Sequence, residues 1–157
     1  MYVTLSQKGK LPLGKELFEQ RNLSVRTQFK DGTGKIIDIT NLHQGTAIIA
    51  QITVSNNSNN WVGNVALSQI FPSGWEIVNT SFTDLEGSTT GKARYTDIRD
   101  DRVNFYFDIS ARKSKTFTVK LNASYLGSYY LPGTQVEAMY EASCYAHNKG
   151  TWIVVKK

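Results

Sequence analysis

The chain has 157 residues, of which 40% are hydrophobic and 20% charged, as is ordinary for one folded domain. No run of about 18 apolar residues occurs, which excludes a membrane-spanning helix. The first residues lack the features of a signal peptide, so we expect any export signal to lie upstream. The net charge of +5 comes from scattered Lys and Arg residues, which predicts a mildly basic solvated surface and no nucleic-acid partner.

The first part of the chain mixes a short helix signal with strand signals. Residues Leu13 to Arg21 contain several helix formers, and we expect one or two helical turns there. Leu23 to Lys30 is a candidate strand, and Asp31 to Gly34 has the composition of a turn. We assign residues 1–22 to an N-terminal strand and connector of the same domain, and residues 23–157 to its main β-structure.

Alternation of apolar and polar residues predicts that most of the later chain forms β-strands. The apolar positions are Ile48, Ala50, Ile52 and Val54; Val103, Phe105, Phe107 and Ile109; and Phe117, Val119 and Leu121. Near the end of the chain, Trp152 and Val154 alternate with Ile153 and Val155. Turn residues such as Pro72-Ser73-Gly74 separate these runs, and Asp84 to Lys92 is predicted to be a surface loop. The pattern favours an all-β antiparallel sandwich, with a closed barrel as the competing architecture.

The densest charged stretch is Asp97-Ile98-Arg99-Asp100-Asp101-Arg102. Its three carboxylates could hold calcium in an adhesion domain, or supply an acid–base pair. Calcium loops spread their ligands over about a dozen residues and do not include arginines. We therefore interpret this stretch as a turn stabilised by ion pairs among Asp97, Arg99, Asp100, Asp101 and Arg102.

Catalytic and metal-binding motifs are missing from the sequence. Cys144 is the single cysteine, and its flanking residues suggest a buried thiol on a strand. His147 lies three positions further along, which on a strand places it on the opposite face. We therefore expect no enzymatic activity, no cofactor and no metal site.

The segment Gln135 to Glu141 is predicted to be a strand with two distinct faces. Val136, Ala138 and Tyr140 alternate with Glu137, Met139 and Glu141. If the first set faces the core, Met139 is presented outward, where methionine suits an adaptable contact surface. If the phase is reversed, Met139 belongs to the core. Periodicity alone does not choose between the two.

The aromatic residues suggest a further function class. Exposed Trp61, Trp75 and Trp152 in a planar row would indicate a stand-alone carbohydrate- or protein-binding module. Trp75 follows Gly74 within a strand-like stretch, and we expect it to be buried.

Several segments together resemble the last domain of bacterial alpha-2-macroglobulins. They are Val65-Ala66-Leu67, Phe71-Pro72-Ser73-Gly74-Trp75-Glu76-Ile77, Tyr95 to Arg102 followed by Phe105-Tyr106-Phe107-Asp108, Tyr130-Leu131-Pro132-Gly133, and Val136-Glu137-Ala138-Met139-Tyr140. Their order and spacing cover roughly residues 20 to 155. The resemblance implies a fibronectin-like or immunoglobulin-like macroglobulin sandwich of the MG10 type, within a broad-spectrum protease inhibitor of the periplasm or cell surface.

The resemblance also implies that this domain has a non-catalytic role. The family traps proteases with a reactive thioester in a separate domain, and that thioester needs a Cys followed closely by Glu-Gln. Cys144 is followed by Tyr145-Ala146-His147, so it is not the thioester cysteine. The last domain packs against the thioester domain and shields the bond, and other domains and target proteases are the partners implied. Glu137, Met139 and Tyr140 are our candidates for this contact, which favours the outward position of Met139.

Overall fold

A computed structural model describes residues 18–79 and 95–157. All regular elements in these two ranges are β-strands. They are β1 (Glu19–Arg21), β2 (Leu23–Lys30), β3 (Leu42–His43), β4 (Ala47–Asn56), β5 (Val62–Ile70), β6 (Trp75–Asn79), β7 (Tyr95–Ile98), β8 (Arg102–Ile109), β9 (Ser114–Ala123), β10 (Gly127–Leu131), β11 (Gln135–Ala138), β12 (Glu141–His147) and β13 (Thr151–Lys156). Within this described part, the structure has no helix that could cross a membrane.

The strands form three sheets. A six-stranded sheet has the order β1-β12-β11-β5-β8-β7, a four-stranded sheet the order β2-β4-β9-β6, and a three-stranded sheet the order β10-β13-β3. The pairings are antiparallel except for a two-residue parallel contact between β13 and β3. The predicted all-β antiparallel sandwich is therefore confirmed, and the closed barrel is wrong.

The core lies between the six-stranded and four-stranded sheets. The alternating apolar residues of β4, β8 and β9 all point into it, as their period of two predicts. Phe117 of β9 stacks on Phe105 of β8, with ring centroids 4.6 Å apart, and lies 4.8 Å from Phe107. These rings join the two sheets at the centre of the sandwich.

The chain passes from one sheet to the other at Asn22. This residue has a left-handed backbone with φ of 59°, its side-chain amide donates to the Ser143 carbonyl at 3.0 Å, and its own carbonyl accepts from the Asn57 N–H at 2.8 Å. The helical prediction for Leu13 to Arg21 is wrong at Glu19–Arg21, which pairs with β12 as a strand, while residues 13–17 lie outside the described residues. The predicted loop Asp84 to Lys92 also lies outside them.

The strand order defines two ends of the sandwich. The near end holds residues 57–61, 110–113 and 139–140, which connect β4 to β5, β8 to β9 and β11 to β12. The far end holds residues 71–74, 99–101 and 132–134. The eight residues of β8 separate the two ends by about 26 Å.

Candidate contact surface

The Met139–Tyr140 turn joins β11 to β12 at the near end. The predicted strand from Gln135 to Glu141 is wrong in its last part, because β11 ends at Ala138 and Glu141 already belongs to β12. A register shift between Glu137 and Ala138 marks the point where the chain begins to turn. Tyr140 therefore does not share the inward face of Val136 and Ala138.

Both turn side chains are exposed. Met139 is 51% exposed and Tyr140 is 83% exposed, whereas Val136 is fully buried. Glu137 is also exposed and lies on the outer face of the six-stranded sheet. The three residues proposed from the sequence are thus all at the surface, on β11 and on the turn that follows it at the near end.

The turn is anchored to β5 through its backbone. The Met139 N–H donates to the Asn64 carbonyl at 3.0 Å, and the Asn64 N–H donates to a carboxylate oxygen of Asp108 at 2.9 Å. Asn64 adopts a left-handed conformation with φ of 53°, which asparagine tolerates better than most residues. The turn is consequently tied to two further strands and does not stand alone.

Trp61 lies close to the Met139–Asn64 hydrogen bond. The sequence analysis did not place Trp61 near the Met139–Tyr140 turn. Its indole folds over Gly63, where an added Cβ would lie 2.7 Å from Cζ3 of the ring. Residues two apart on a strand share a face, so Trp61 and Gly63 both lie on the outer side of the six-stranded sheet, opposite to the buried Val62. The sequence does contain a sign of this packing, because Gly63 follows Trp61 by two residues and leaves space for its ring.

The charged stretch Asp97 to Arg102 lies at the far end, away from the Met139–Tyr140 turn. Arg99 pairs with Asp97 at 3.2 Å and Arg102 with Asp101 at 3.1 Å, while the exposed Asp100 belongs to neither ion pair. Hydrogen bonding from Arg102 lowers the pKa of the Asp101 carboxyl. The Phe71 N–H donates to the Asp101 carbonyl at 2.7 Å, which fixes the turn to the start of the β5–β6 connection.

The described residues offer no arrangement typical of catalysis. Cys144 is buried and faces the core, whereas His147 lies on the other face of β12 and packs against Tyr145. Within residues 18–79 and 95–157, no three His, Cys, Asp or Glu side chains lie close enough together to hold a metal ion. A cleft of about 270 Å³ at the far end has Lys149 as the single titratable side chain among its described lining residues.

The three tryptophans do not form a row. Trp75 is buried, as expected, and packs edge-on against Phe29 at 5.8 Å. Trp61 lies outside the six-stranded sheet, and Trp152 lies on β13 of the three-stranded sheet, against Tyr130. This separation does not fit the planar platform that a carbohydrate module would use.

Comparison with known proteins gives one consistent result. The family described as "Bacterial Alpha-2-macroglobulin MG10 domain" matches residues 20–142. The alpha-2-macroglobulin of Rickettsia conorii is 28% identical over 130 residues, covering 80% of this chain and 7% of that protein. The alpha-2-macroglobulin of Pasteurella multocida is 23% identical over 147 residues, covering 94% of this chain and 8% of that protein. The chain therefore spans less than a tenth of the length of these relatives.

A solved structure supports the same fold. The crystal structure of native alpha-2-macroglobulin from Escherichia coli, spanning domain MG7 to the C-terminus, superimposes with a TM-score of 0.80 at 20% identity. The match covers 93% of this chain and 25% of that chain. In that relative the matching region is one part of a longer polypeptide.

Proposed function

Because the chain belongs to the bacterial alpha-2-macroglobulin MG10 domain family, we propose that it is the non-catalytic C-terminal domain of a bacterial alpha-2-macroglobulin. In this proposal it packs against the thioester domain of the parent chain and shields the thioester from water. The parent protein acts as a broad-spectrum protease inhibitor in the periplasm or at the cell surface, and target proteases meet the domain only through the whole protein.

The exposed Met139–Tyr140 turn is the observation that carries this proposal. A thioether and an aromatic ring, both presented to solvent, form a small apolar surface suited to an adaptable contact. Covering a reactive bond with such a surface slows hydrolysis, because the attacking water is excluded. Glu137, two residues before Met139, supplies a charged rim on the outer side of β11.

The anchoring of the turn supports the same role. A contact that must order flexible groups gives up part of its binding energy, whereas a contact formed by ordered groups keeps it. The backbone hydrogen bond from Met139 to Asn64 holds the turn against β5 before any partner is present. The backbone of the turn therefore already has a hydrogen-bond partner within the domain.

The protein's own cysteine does not offer an alternative source of the trapping chemistry. Cys144 is 3% exposed, with its side chain in the sandwich core. A thiol in this position cannot meet a protease without unfolding the sheet around it. In this proposal the reactive bond lies elsewhere in the parent chain, and this domain acts on it by contact.

A substitution in the turn tests the shielding role. In the full-length parent protein, Met139→Asp places a carboxylate in the contact, and burying an unpaired charge costs several kcal/mol. We expect spontaneous thioester loss, measured as free thiol released without any protease, to rise by about tenfold for each 1.4 kcal/mol by which the contact is weakened. Tyr140→Ala should raise the rate as well.

Ile36→Asp is the matched control. Ile36 is an apolar side chain of similar exposure, but it pairs with Lys30 at the far end of the sandwich. Its replacement should leave the rate of thiol release unchanged. Equal rates for Met139→Asp and the unmodified protein, or a parent chain that releases no thiol on treatment with a small amine, would overturn the shielding role.

A further inference from the structure

We propose that the cleft at the far end of the sandwich binds an indole-type ring, that is, two fused rings of which one carries an N–H group. The cleft lies where the three sheets meet, since β2, β5 and β10 each contribute lining side chains. It is at the opposite end from the Met139–Tyr140 turn and is therefore independent of the proposed contact. The hydrogen bonds at its floor, its walls and its volume each restrict the ligand.

The floor of the cleft is a chain of three hydrogen-bonded side chains, Gln69, Thr134 and Thr27. The Gln69 amide nitrogen donates its two protons to the backbone carbonyls of Ile70, at 2.8 Å, and Pro132, at 3.1 Å. The Gln69 amide oxygen therefore accepts, and the Thr134 hydroxyl donates to it. Gln69 and Thr134 are only 1% and 2% exposed, so the order of donors and acceptors is fixed inside the protein.

The direction of this chain makes Thr27 an acceptor at the floor of the cleft. A threonine hydroxyl has one proton, and the proton of Thr134 is already donated to Gln69. The bond of 2.7 Å between the two threonine hydroxyls therefore uses the proton of Thr27. The half-buried Thr27 side chain lines the cleft, and its oxygen retains lone pairs only. A group that bonds to this oxygen from the cleft must supply the proton.

The walls of the cleft favour a flat, otherwise apolar ligand. They are formed mainly by apolar side chains, two of which are aromatic: Phe18, Phe29, Ile39, Leu131 and Pro132. The buried Trp75 holds Phe29 in place, with the two ring centroids 5.8 Å apart and an angle of 69° between the rings. Aromatic side chains pack favourably against further rings in offset or edge-to-face geometry. The donor that bonds to Thr27 is therefore expected on a ring.

Lys149 and the size of the cleft restrict the ligand further. Lys149 is the single titratable side chain among the described lining residues, and its ammonium group disfavours a cationic ligand. A cation is attracted to the face of an indole more strongly than to that of a smaller ring. A cavity of about 150 Å³ holds one benzene ring, so the cleft of about 270 Å³ has room for two fused rings. A neutral indole meets all of these conditions.

Binding of a fluorinated indole to the 157-residue chain, followed by fluorine NMR, tests this site. The comparison ligand is the corresponding benzothiophene, which has the same two-ring shape but no N–H group. We expect the indole to bind about two- to tenfold more tightly, which is the effect of one hydrogen bond between neutral groups. Thr27→Val keeps the shape of the side chain and removes the acceptor, so it should abolish this preference, whereas Thr27→Ser should retain it.

Thr53→Val is the matched control. Thr53 also shares a hydrogen bond between Oγ1 atoms with another threonine, Thr116, but on the outer face of the four-stranded sheet. The control should leave both the affinity for the indole and the preference over the benzothiophene unchanged. Lys149→Gln should weaken the binding of both ligands alike, because the cation acts on the ring and not on the N–H group.

The same measurement on the full-length parent protein decides the source of the ring. Binding by the 157-residue chain but not by the parent would assign the cleft to a tryptophan side chain of the parent, whereas binding by both would assign it to a free indole compound. The preference shown by the 157-residue chain supports the site in both cases. No binding by the 157-residue chain at millimolar indole, equal affinities for the two ligands, or an unchanged preference in Thr27→Val would overturn the proposal.

Discussion

Removal of the Phe117 ring should destabilise the domain more than most single substitutions. Phe117 is 3% exposed and belongs to the four-stranded sheet, yet it contacts Phe105 and Phe107 of the six-stranded sheet. The rings of Phe105 and Phe117 are nearly parallel, at 22°. Phe117→Ala therefore leaves a cavity at the place where the two sheets meet.

A buried Phe→Ala substitution costs about 3–5 kcal/mol, which is a large part of the 5–15 kcal/mol that stabilises a typical domain. For a chain of this length we expect the unfolding temperature to fall by about 6–20 °C. Urea denaturation followed by circular dichroism measures the change, and the m-value should stay constant. Thr118→Ala, at the next and outward position, should change stability by less than about 0.5 kcal/mol. A loss under about 1 kcal/mol for Phe117→Ala would refute a core closed by these rings.

Two further predictions concern the turns. Gly133→Ala should cost about 2 kcal/mol in urea denaturation, because the new methyl group meets the backbone carbonyl of Asn148, whereas Gly32→Ala, in open space, should be nearly neutral. The hydroxyl and N–H of Thr33 donate to the Asp31 carboxylate and lower its pKa below 3.8. A depressed pKa stabilises the folded state above pH 3.8, and this stabilisation is lost as the pH falls through the folded value. The stability difference between the unmodified chain and Asp31→Ala should therefore disappear in acid; a constant difference from pH 5 to pH 2 would contradict this.

The strands of the core could be predicted because their periodicity is strict. In β4 and β8, each second residue from Ile48 to Val54 and from Val103 to Ile109 is apolar, and each of these residues is buried. Two sheets that each have one apolar face must bury these faces against each other. The sequence alone therefore predicted the sandwich, although the parallel pairing of β3 with β13 depends on tertiary packing that periodicity does not encode.

The wrong predictions arose where local preference and tertiary pairing disagree. Glu19–Arg21 contains helix-compatible residues, but its backbone pairs with β12, and sheet hydrogen bonds outweigh a small intrinsic preference. The alternation from Val136 to Tyr140 suggested a longer strand, yet the register shift after Glu137 ends β11 early. A hydrophobic pattern does not show where a short strand turns, because the residues of the turn can continue the same alternation by chance.

The site residues were predicted less completely than the fold. The charged stretch does contain ion pairs, but Asp100 takes part in neither of the two at Asp97 and Asp101, since its position in the turn directs it to solvent. Met139 is exposed, in agreement with the outward position favoured in the sequence analysis. Its contact with another domain stays a prediction. Trp61 was considered only as part of a carbohydrate- or protein-binding module, because its proximity to the turn depends on a hydrogen bond between distant parts of the chain.

A single irregularity in β5 positions both the Met139–Tyr140 turn and the Trp61 ring beside it. Val62 and Val65 both face the core, although three positions separate them and strict alternation would turn Val65 outward. The register shift between them, opposite Ile109 and Phe107, supplies the extra residue that restores the inward phase. Within this bulge Gly63 leaves room for the Trp61 indole, and Asn64 turns its carbonyl towards the Met139 N–H. Regular pairing at this point would direct Asn64 into the core. The bulge therefore positions both the ring and the turn, and a change there should affect both together.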